Sequence, residues 1–376
     1  MIIGFDGKKA VLNSTGIGNY SRRCLNAIST IRSDFKLVLF SPDHSNSGVL
    51  ADLPSTVKLS VPVWPFKRGL LYEVWRNFIS WHTIRKRKVK VFHGMSNELP
   101  FWIGKSGCRT VVTIHDLIFL RHPEWYDKTS CRILRRKTKY ACIVADRIIA
   151  VSERTKRDIM HFYGVEESRI EVIYQSLSPI FWEQLPCDMV RMKCNAYNLP
   201  PTYILCVGTI EQRKNHEILI KALPYLPKHL SLVFVGKATP YQETLRQMAL
   251  KEKWISRIHF RNGMRTEDLP AIYQGSRMMA YMSKYEGFGI PVIEALASGI
   301  PVIAATGSCL EEAGGPDSIY LSPDNPKELA QVICRLDSDD ALRQQMSARG
   351  KVYAKRFTDR QMGERLVQLY NKLMEV

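Results

Sequence analysis

The stretch YEGFGIPVIEALASGIPVIAA, residues 285–305, sets two glutamates, Glu286 and Glu294, around a glycine-rich turn and a proline. A carboxylate accepts paired hydrogen bonds from vicinal hydroxyls, so two of them at this spacing suggest a polyol ligand held at two rings. Gly287 and Gly289 keep the backbone bare, and Pro291 suits a first helical position. Amides here, with the positive end of the helix that follows, make a cradle for an oxygen-rich ligand. Glu294 has a second reading, because a carboxylate in the first helical turn complements the helix dipole by ~0.3–1 kcal/mol. Glu286, in the loop, stabilises no helix from its position.

Three further stretches carry residue types suited to chemistry. In VVTIHDLIFL, His115 and Asp116 directly follow an apolar run. A histidine at a strand's carboxyl end is placed to bond a ligand hydroxyl or to move a proton, and the alternative is a structural histidine, with Asp116 capping the next turn. In LCVGTIEQRKNHEILIKAL, Arg213 and Lys214 follow another apolar run. Fixed cations there suit a diphosphate and the negative charge that develops on a leaving group; Asn215 could cap the following helix by itself, so the pair is not needed for structure. In FDGKKAVLNSTGIGNYSRR, Gly16 and Gly18 precede a helix expected to begin near Asn19. Such glycines let backbone amides approach an anion at a helix N-terminus, or simply make a turn, and Ser21 stands where the last glycine of a GxGxxG fingerprint would be. Asp337 and Asp339 form an Asp-x-Asp pair, but directly before a helical pattern, where aspartate is the usual cap.

The elements that must position these residues are short β-branched runs between amphipathic stretches. IIGF, KLVLF, VKLSV, KVFHG, RTVVTIHD, RIIAVS and RIEVIY come first; YILCVGT, LSLVFVG, RIHF, RMMAYMS, PVIAA and SIYLS follow. Strand and helix signals that alternate in this way predict an α/β protein with parallel, doubly wound sheets, and YQSLSPIFWEQLP (174–186) is the seam between two Rossmann-like domains. The expected division is 1–175 for the first domain and 176–356 for the second. The last segment, 357–376, carries Met362, Leu366, Leu369 and Leu373 at helical spacing, an apolar stripe that needs a surface to pack on. Ligands of such sheets bind at the carboxyl ends of strands, so the loops that follow those strands are where chemistry is expected.

Composition narrows the class. The chain has 376 residues, 45% of them hydrophobic and 24% charged, with no apolar run near the roughly 18 residues that span a bilayer. The opening MIIGFDGKKA has no basic lead before a long apolar stretch, so no secretory signal is expected, and a cytoplasmic protein is. Nine cysteines without a CxxC pair suit a reduced compartment and core thiols, against both a disulfide framework and a zinc site. Charge is uneven: residues 1–165 hold 28 Lys+Arg against 12 Asp+Glu, and the remainder 26 against 24. Two clusters, Arg85–Lys90 and Arg132–Lys139, either face an anionic partner or form solvated helix faces.

EGFGIPVIEALASGIPVIA resembles the E-x7-E signature of the retaining glycosyltransferases of family 4, which have the GT-B fold of two facing Rossmann-like domains. TGIGNYSR, VFHGMSNELP, VVTIHD, AVSERTKRDI, VIYQSLSPIF, VGTIEQRKN and FTDRQMGERLVQLYNKL join it in the family's order, so the similarity covers essentially the whole chain. The resemblance implies that Glu294 binds the ribose hydroxyls of a nucleotide and Glu286 the donor sugar. Amides at Phe288, Gly289 and Ile290 would line the sugar and diphosphate, His115 would contact the sugar near its reacting carbon, and Lys214 with Arg213 would hold the diphosphate. Many members have arginine directly after the glycine of that last loop; here Thr209 follows Gly208, and Arg213 is expected to take its place. The terminal helix is expected to cross back to the first domain.

By the same resemblance the chain moves a hexose, first of all mannose, from a nucleotide-diphosphate sugar to a saccharide or lipid-linked acceptor during polysaccharide assembly, needing no metal or other cofactor. The acceptor would bind the first domain, and RGLLYEVWRNFISWHTIRKRK, with Leu71, Trp75, Phe78 and Trp81 before a basic tail, would serve as an interfacial helix on an anionic membrane, unless those residues are core. Rival readings are a nucleotide-sugar epimerase or phosphorylase on the same fold, and a basic nucleic-acid-binding protein. The last leaves both glutamates unexplained, and no nucleic-acid module is present in the sequence.

Overall fold

The computed structural model describes residues 1–13, 15–43 and 52–375. The chain divides into two compact units, Met1–Ser176 together with Phe357–Val376, and Leu177–Arg356.

The first unit is built on strands β1 (Ile2–Asp6), β2 (Lys36–Phe40), β3 (Lys58–Ser60), β4 (Val91–Gly94), β5 (Arg109–Ile114), β6 (Arg147–Ala150) and β7 (Ile170–Val172). They lie in the order β3-β2-β1-β4-β5-β6-β7, all parallel, with Ile3 between Leu37 and Val91 in register. The second unit contains β8 (Tyr203–Val207), β9 (Ser231–Val235), β10 (Ile258–Arg261), β11 (Met278–Tyr281), β12 (Val302–Ala305) and β13 (Ile319–Leu321), ordered β10-β9-β8-β11-β12-β13 and again parallel. Each apolar run read from the sequence is one of these strands. The reason is burial on both faces: β8, β11 and β12 have no exposed residue, so unbroken apolar runs rather than alternation are what a helix-covered parallel sheet requires. Strand order reverses between β1 and β4 in one sheet and between β8 and β11 in the other. These switch points open clefts at the carboxyl ends, and the loops after β8 and β11 carry the second unit's candidates.

Two helices close one face of the first sheet. The helix Gly16–Ile31 starts at Gly16, three residues earlier than the glycines suggested, with Thr15 as its cap residue and Asn19 N–H bonding Thr15 O at 3.0 Å. Gly18 is needed here for packing, since a Cβ would stand 1.7 Å from the Asn13 carbonyl oxygen. The C-terminal helix Asp359–Glu375 packs on Gly16–Ile31, burying Met362, Leu366, Leu369 and Leu373 as the stripe demanded, with Val367 and Tyr370 added. Gly363 permits that approach: its missing Cβ would lie 2.8 Å from the Ala27 carbonyl oxygen. Truncating one such leucine to alanine costs about 2–5 kcal/mol in a core that cannot collapse around the gap.

Candidate functional site

The second unit assembles its charged residues from two loops. After β8 the chain turns at Gly208 and Thr209, then forms the single turn Gln212–Lys214 before Asn215, whose φ of 56° is left-handed. Asn215 does not cap the helix His216–Ala222 with its side chain; its amide donates instead to the Pro323 carbonyl at 2.7 Å. The turn therefore projects Arg213 and Lys214 from a backbone pinned on both sides, with the Arg213 carbonyl accepting from Lys284 N–H at 2.9 Å.

Glu286, in the loop after β11, meets both cations. Lys214 Nζ lies 2.5 Å from Oε1 and Arg213 Nη1 2.9 Å from Oε2, and Tyr281 at the end of β11 donates its hydroxyl to Oε1 at 3.0 Å. Burial alone would push the Glu286 carboxyl up, but Lys214 and Arg213 outweigh it and hold the group at about 2. Arg213 is correspondingly raised despite its own burial, through Glu286 and Glu211. Tyr281 also accepts from Lys214 Nζ at 2.7 Å, and its phenol is pushed well up by burial and by Glu286, so it stays a neutral donor. Arg213 Nη2 also pairs with Glu211 at 2.6 Å, so two cations, two carboxylates and one phenol form a largely buried set centred on Glu286.

Gly287, Phe288 and Gly289 lead from this set to the helix Ile290–Ala297. Gly289 stands at the cap with φ 114°, a conformation that favours glycine, and a Cβ there would displace the end of the Leu310 side chain, 2.8 Å away. The Cys309 thiol lies 3.1 Å from both the Glu286 and the Phe288 carbonyl oxygens and ties the loop from beneath. Because the helix starts at Ile290, Pro291 is its second residue and Glu294 lies beyond the first turn. The dipole explanation for Glu294 falls away. What fixes its carboxylate is Tyr273, buried in the helix Leu269–Gln274, whose hydroxyl donates to Oε2 at 2.7 Å.

In the first unit His115 follows β5 and is 6% exposed. Its Nε2 lies 2.9 Å from the Met95 carbonyl oxygen, which can only accept, so Nε2 carries the proton and Nδ1 presents a lone pair. Burial lowers the ring to about 4 against a smaller opposing effect of that bond, leaving it neutral near pH 7. Asn97 Oδ1 accepts from the His115 backbone N–H at 2.7 Å, and Tyr20, from the helix that begins at Gly16, sets its ring edge-on at 4.8 Å. Behind it, Tyr20 and Thr113 hydroxyls are 3.0 Å apart, Thr113 is 2.8 Å from His93 Nε2, and His93 Nδ1 is 2.7 Å from the Tyr370 hydroxyl on the C-terminal helix. Asp116 Oδ1 accepts from Ile118 N–H at 3.2 Å in the turn that leads into the helix Ile118–Arg121.

The structure thus joins Arg213, Lys214 and Glu286 directly, and links them through Gly287, Phe288, Gly289 and Ile290 to Glu294. Thr209 is half-buried on the same β8 loop, while His115, Gly16 and Gly18 belong to the other unit. Asp339 caps the helix Asp340–Ala354 by accepting from Leu342 N–H at 2.8 Å, and Asp337 pairs with Arg277 at 3.0 Å. Among the described residues no three His, Cys, Asp or Glu side chains are placed to share a metal ion, and no helix is long and apolar enough to cross a membrane. The cysteines are mostly buried or half-buried, but Cys187 is exposed rather than a core thiol. Sequence reasoning missed Tyr20, Tyr273, Tyr281 and Cys309, each of which reads as ordinary core in its own element.

Over 99% of its length the chain shares its fold with Alr3699/HepE of Anabaena, solved in complex with UDP and glucose, at a TM-score of 0.77 and 18% identity over 100% of that chain. The architecture is GT-B, two Rossmann-like domains with the candidate loops of the second at its switch point. Residues 193–353 match the sequence model described as Glycosyl transferases group 1, and residues 16–178 that of Glycosyltransferase Family 4. The chain belongs to glycosyltransferase family 4. It is 26% identical over 364 residues to O-antigen chain mannosyltransferase B of Escherichia coli, covering 92% of each chain. To the serotype-specific mannosyltransferase WbdA of the same organism it is 24% identical over 276 residues, spanning 71% of this chain and 34% of that one.

Proposed function

We propose that this glycosyltransferase moves a hexose, first of all mannose, from a nucleoside-diphosphate sugar to a saccharide or lipid-linked saccharide acceptor in cell-surface polysaccharide assembly, with retention of configuration and without a metal. The single observation that carries the donor assignment is the pairing of Arg213 and Lys214 on one buried carboxylate, Glu286. These are fixed cations in a low-dielectric setting, with their counter-ion in hydrogen-bonding reach of whatever occupies the loop. The mannose assignment takes its support from the relatives' names.

Cleavage of the sugar–phosphate C–O bond leaves its electron pair on the diphosphate and positive character on the sugar ring. Arg213, Lys214 and the amides of Gly287, Phe288, Gly289 and Ile290 offset the negative charge as it grows. Glu294 accepts from the ribose hydroxyls and Glu286 from the donor sugar, with Thr209 beside the diphosphate. His115, neutral and with Nδ1 unprotonated, accepts a hydrogen bond from a sugar hydroxyl and orients the ring; it is not charged to act as an acid. The acceptor oxygen attacks the anomeric carbon from the side the diphosphate leaves, and its proton passes to the departing phosphate oxygen. Glu286 is tied to two cations, so it is not disposed as the free nucleophile of a retaining glycosidase.

The test is a thermal-shift screen with UDP- and GDP-sugars, followed by turnover of the donor that stabilises most, with and without a strong chelator, and NMR of the product's anomeric proton. Stabilisation by GDP-mannose, turnover indifferent to chelator and an α product from an α donor are expected. Stabilisation by no nucleotide sugar removes the donor reading; loss of activity in chelator removes the metal-free one; inversion removes retention.

A further inference from the structure

Among the described residues the three most exposed large apolar side chains are Trp64 at 82%, Leu70 at 79% and Val63 at 77%, all within one short stretch of the first unit. The stretch leads into the helix Gly69–Val74 and its continuation Trp75–Ile79, one side of which buries Tyr72, Trp75 and Arg76. Leu70, Leu71, Val74 and Phe78 keep helical spacing on the exposed side, and Phe78 packs its ring at 5.2 Å from exposed Trp102, itself covered by Lys105 at 3.8 Å. Folding has left an apolar ridge uncovered here, where a soluble surface normally carries polar side chains.

Its charge is one-signed. From residue 53 to 115 the only carboxylates in the sequence are Glu73 and Glu98, and both pair with the buried Arg76, at 3.6 and 3.1 Å. Lys58, Lys67, Arg68, Arg85, Lys86, Arg87, Lys88 and Lys105 stand exposed over the same interval, with Asp43 3.7 Å from Lys67. Two copies of such a surface repel one another, which disfavours self-association through it. Nucleic acid would find cations and the exposed ring of Trp64, but Val61, Val63, Leu70, Leu71 and Val74, the larger part of the ridge, offer a base neither a stacking face nor a hydrogen bond. Lys67 and Arg68 stand between Trp64 and Leu70 in the chain and Lys105 covers Trp102, so the ridge joins apolar side chains to cations as the boundary between acyl chains and anionic headgroups requires.

We propose that the ridge Val61–Phe78, with Trp64, Val63 and Leu70 as its inserting residues, docks this protein on an anionic lipid surface. Trp75, which sequence alone offered for this role, is part of the core at 5% exposure, and Trp81 is half-buried; the docking element is the loop before the helix and the helix's outer side. The inference deepens the reading that the acceptor is carried at a membrane, and it is tested by binding without turnover, so that either can fail alone.

The full chain is sedimented with vesicles of phosphatidylcholine alone and with vesicles in which about one lipid in three is phosphatidylglycerol. Wild type should pellet with the anionic vesicles only and be released by high salt. A triple variant Val63→Ser, Trp64→Ser, Leu70→Ser should lose at least about tenfold in partitioning, since each buried apolar group contributes through area removed from water. Lys67→Gln with Arg68→Gln should lose about fivefold per charge. All these side chains are exposed, so thermal midpoints and nucleotide-sugar binding should stay at wild-type values. Pelleting of the triple variant like wild type, absence of wild-type pelleting with anionic vesicles, or ridge-dependent binding of an oligonucleotide in place of vesicles would each overturn the proposal.

Discussion

Tyr273 donates its hydroxyl hydrogen to Glu294 at 2.7 Å, so the carboxylate assigned to the ribose is aimed by a residue from a separate helix. Tyr273 is fully buried and its phenol is pushed well up by burial and by Glu294, which keeps it a donor at any working pH. The pair is a positioning device: the phenol holds the Glu294 carboxylate from outside the helix that carries it.

Tyr273→Phe should therefore act on nucleotide binding before it acts on chemistry. Losing one hydrogen bond to a charged group is worth about 1.5–3 kcal/mol at most, so nucleoside diphosphate affinity should fall about tenfold while kcat changes less than about twofold. Calorimetric titration of the variant beside Glu294→Ala, which should bind still more weakly, reads the effect. Wild-type affinity in Tyr273→Phe would show that the hydroxyl does not set the carboxylate.

His115 supplies a second test through pH. Its proton sits on Nε2 against the Met95 carbonyl, and burial keeps the ring neutral down to about 4. A kcat profile between pH 6 and 8 should then show no inflection near the ordinary histidine value of 6.5. His115→Gln, which can accept but not titrate, should lose activity by about 10–100-fold without changing the profile's shape. An ionisation near 6.5 in wild type that disappears in His115→Gln would assign the ring a proton-transfer role instead.

Stability should respond to acid through the same group and its neighbour. Burial lowers His93 to about 3 and His115 to about 4, both from 6.5. A histidine whose folded value is depressed favours the folded state fully above 6.5, and that contribution is lost as the pH falls from 6.5 toward the folded values, because the unfolded chain takes up the proton first. Between pH 7 and pH 5 each should cost about 2 kcal/mol. Glu286, held at about 2 from 4.5, adds nothing until the pH is below 4.5. Urea midpoints at the two pH values check this: a first-unit transition unchanged between them would mean the rings are hydrated in the native protein.

Much of the architecture was legible because parallel strands buried on both faces must be written as unbroken apolar runs, and these are hard to read as anything else. Arg213, Lys214 and Glu286 were legible for the opposite reason: charges beside glycines at strand ends have no structural purpose that local sequence can supply. Tyr281 and Tyr273 were not, since each belongs by local pattern to the core of its own element, and only the fold of the loop after β11 and the packing of the helix Leu269–Gln274 bring their hydroxyls to Glu286 and Glu294. The helix at Gly16 was placed late because glycine argues locally against helix, whereas Gly18 is required by the carbonyl it passes. Trp75 was left open between a membrane face and the core; it falls in the core because it shares the buried side of its helix with Tyr72, three residues earlier, their ring centroids 5.8 Å apart.

The buried set around Glu286 leads to the most discriminating prediction. An ionised carboxylate already satisfies Arg213 and Lys214 at 2.9 and 2.5 Å, so a diphosphate approaching those cations must contend with it. Glu286→Gln removes that competition and leaves two buried cations half-paired. The ligand-free variant should be destabilised by about 3 kcal/mol, as expected when one partner of a buried pair is deleted. Nucleoside diphosphate should bind it more tightly than wild type, by about tenfold, and restore much of the lost thermal stability by mass action. Turnover should nevertheless drop by about 100-fold or more, because the sugar hydroxyls lose their carboxylate acceptor. Lys214→Ala, lacking a cation instead of an anion, should weaken binding and turnover together. Opposite signs for the two variants in nucleotide affinity are the signature of a counter-ion that gives way to substrate; weaker binding in Glu286→Gln, with the fold shown intact by its spectrum, would make Glu286 a plain ligand-holding residue and the cations its scaffold.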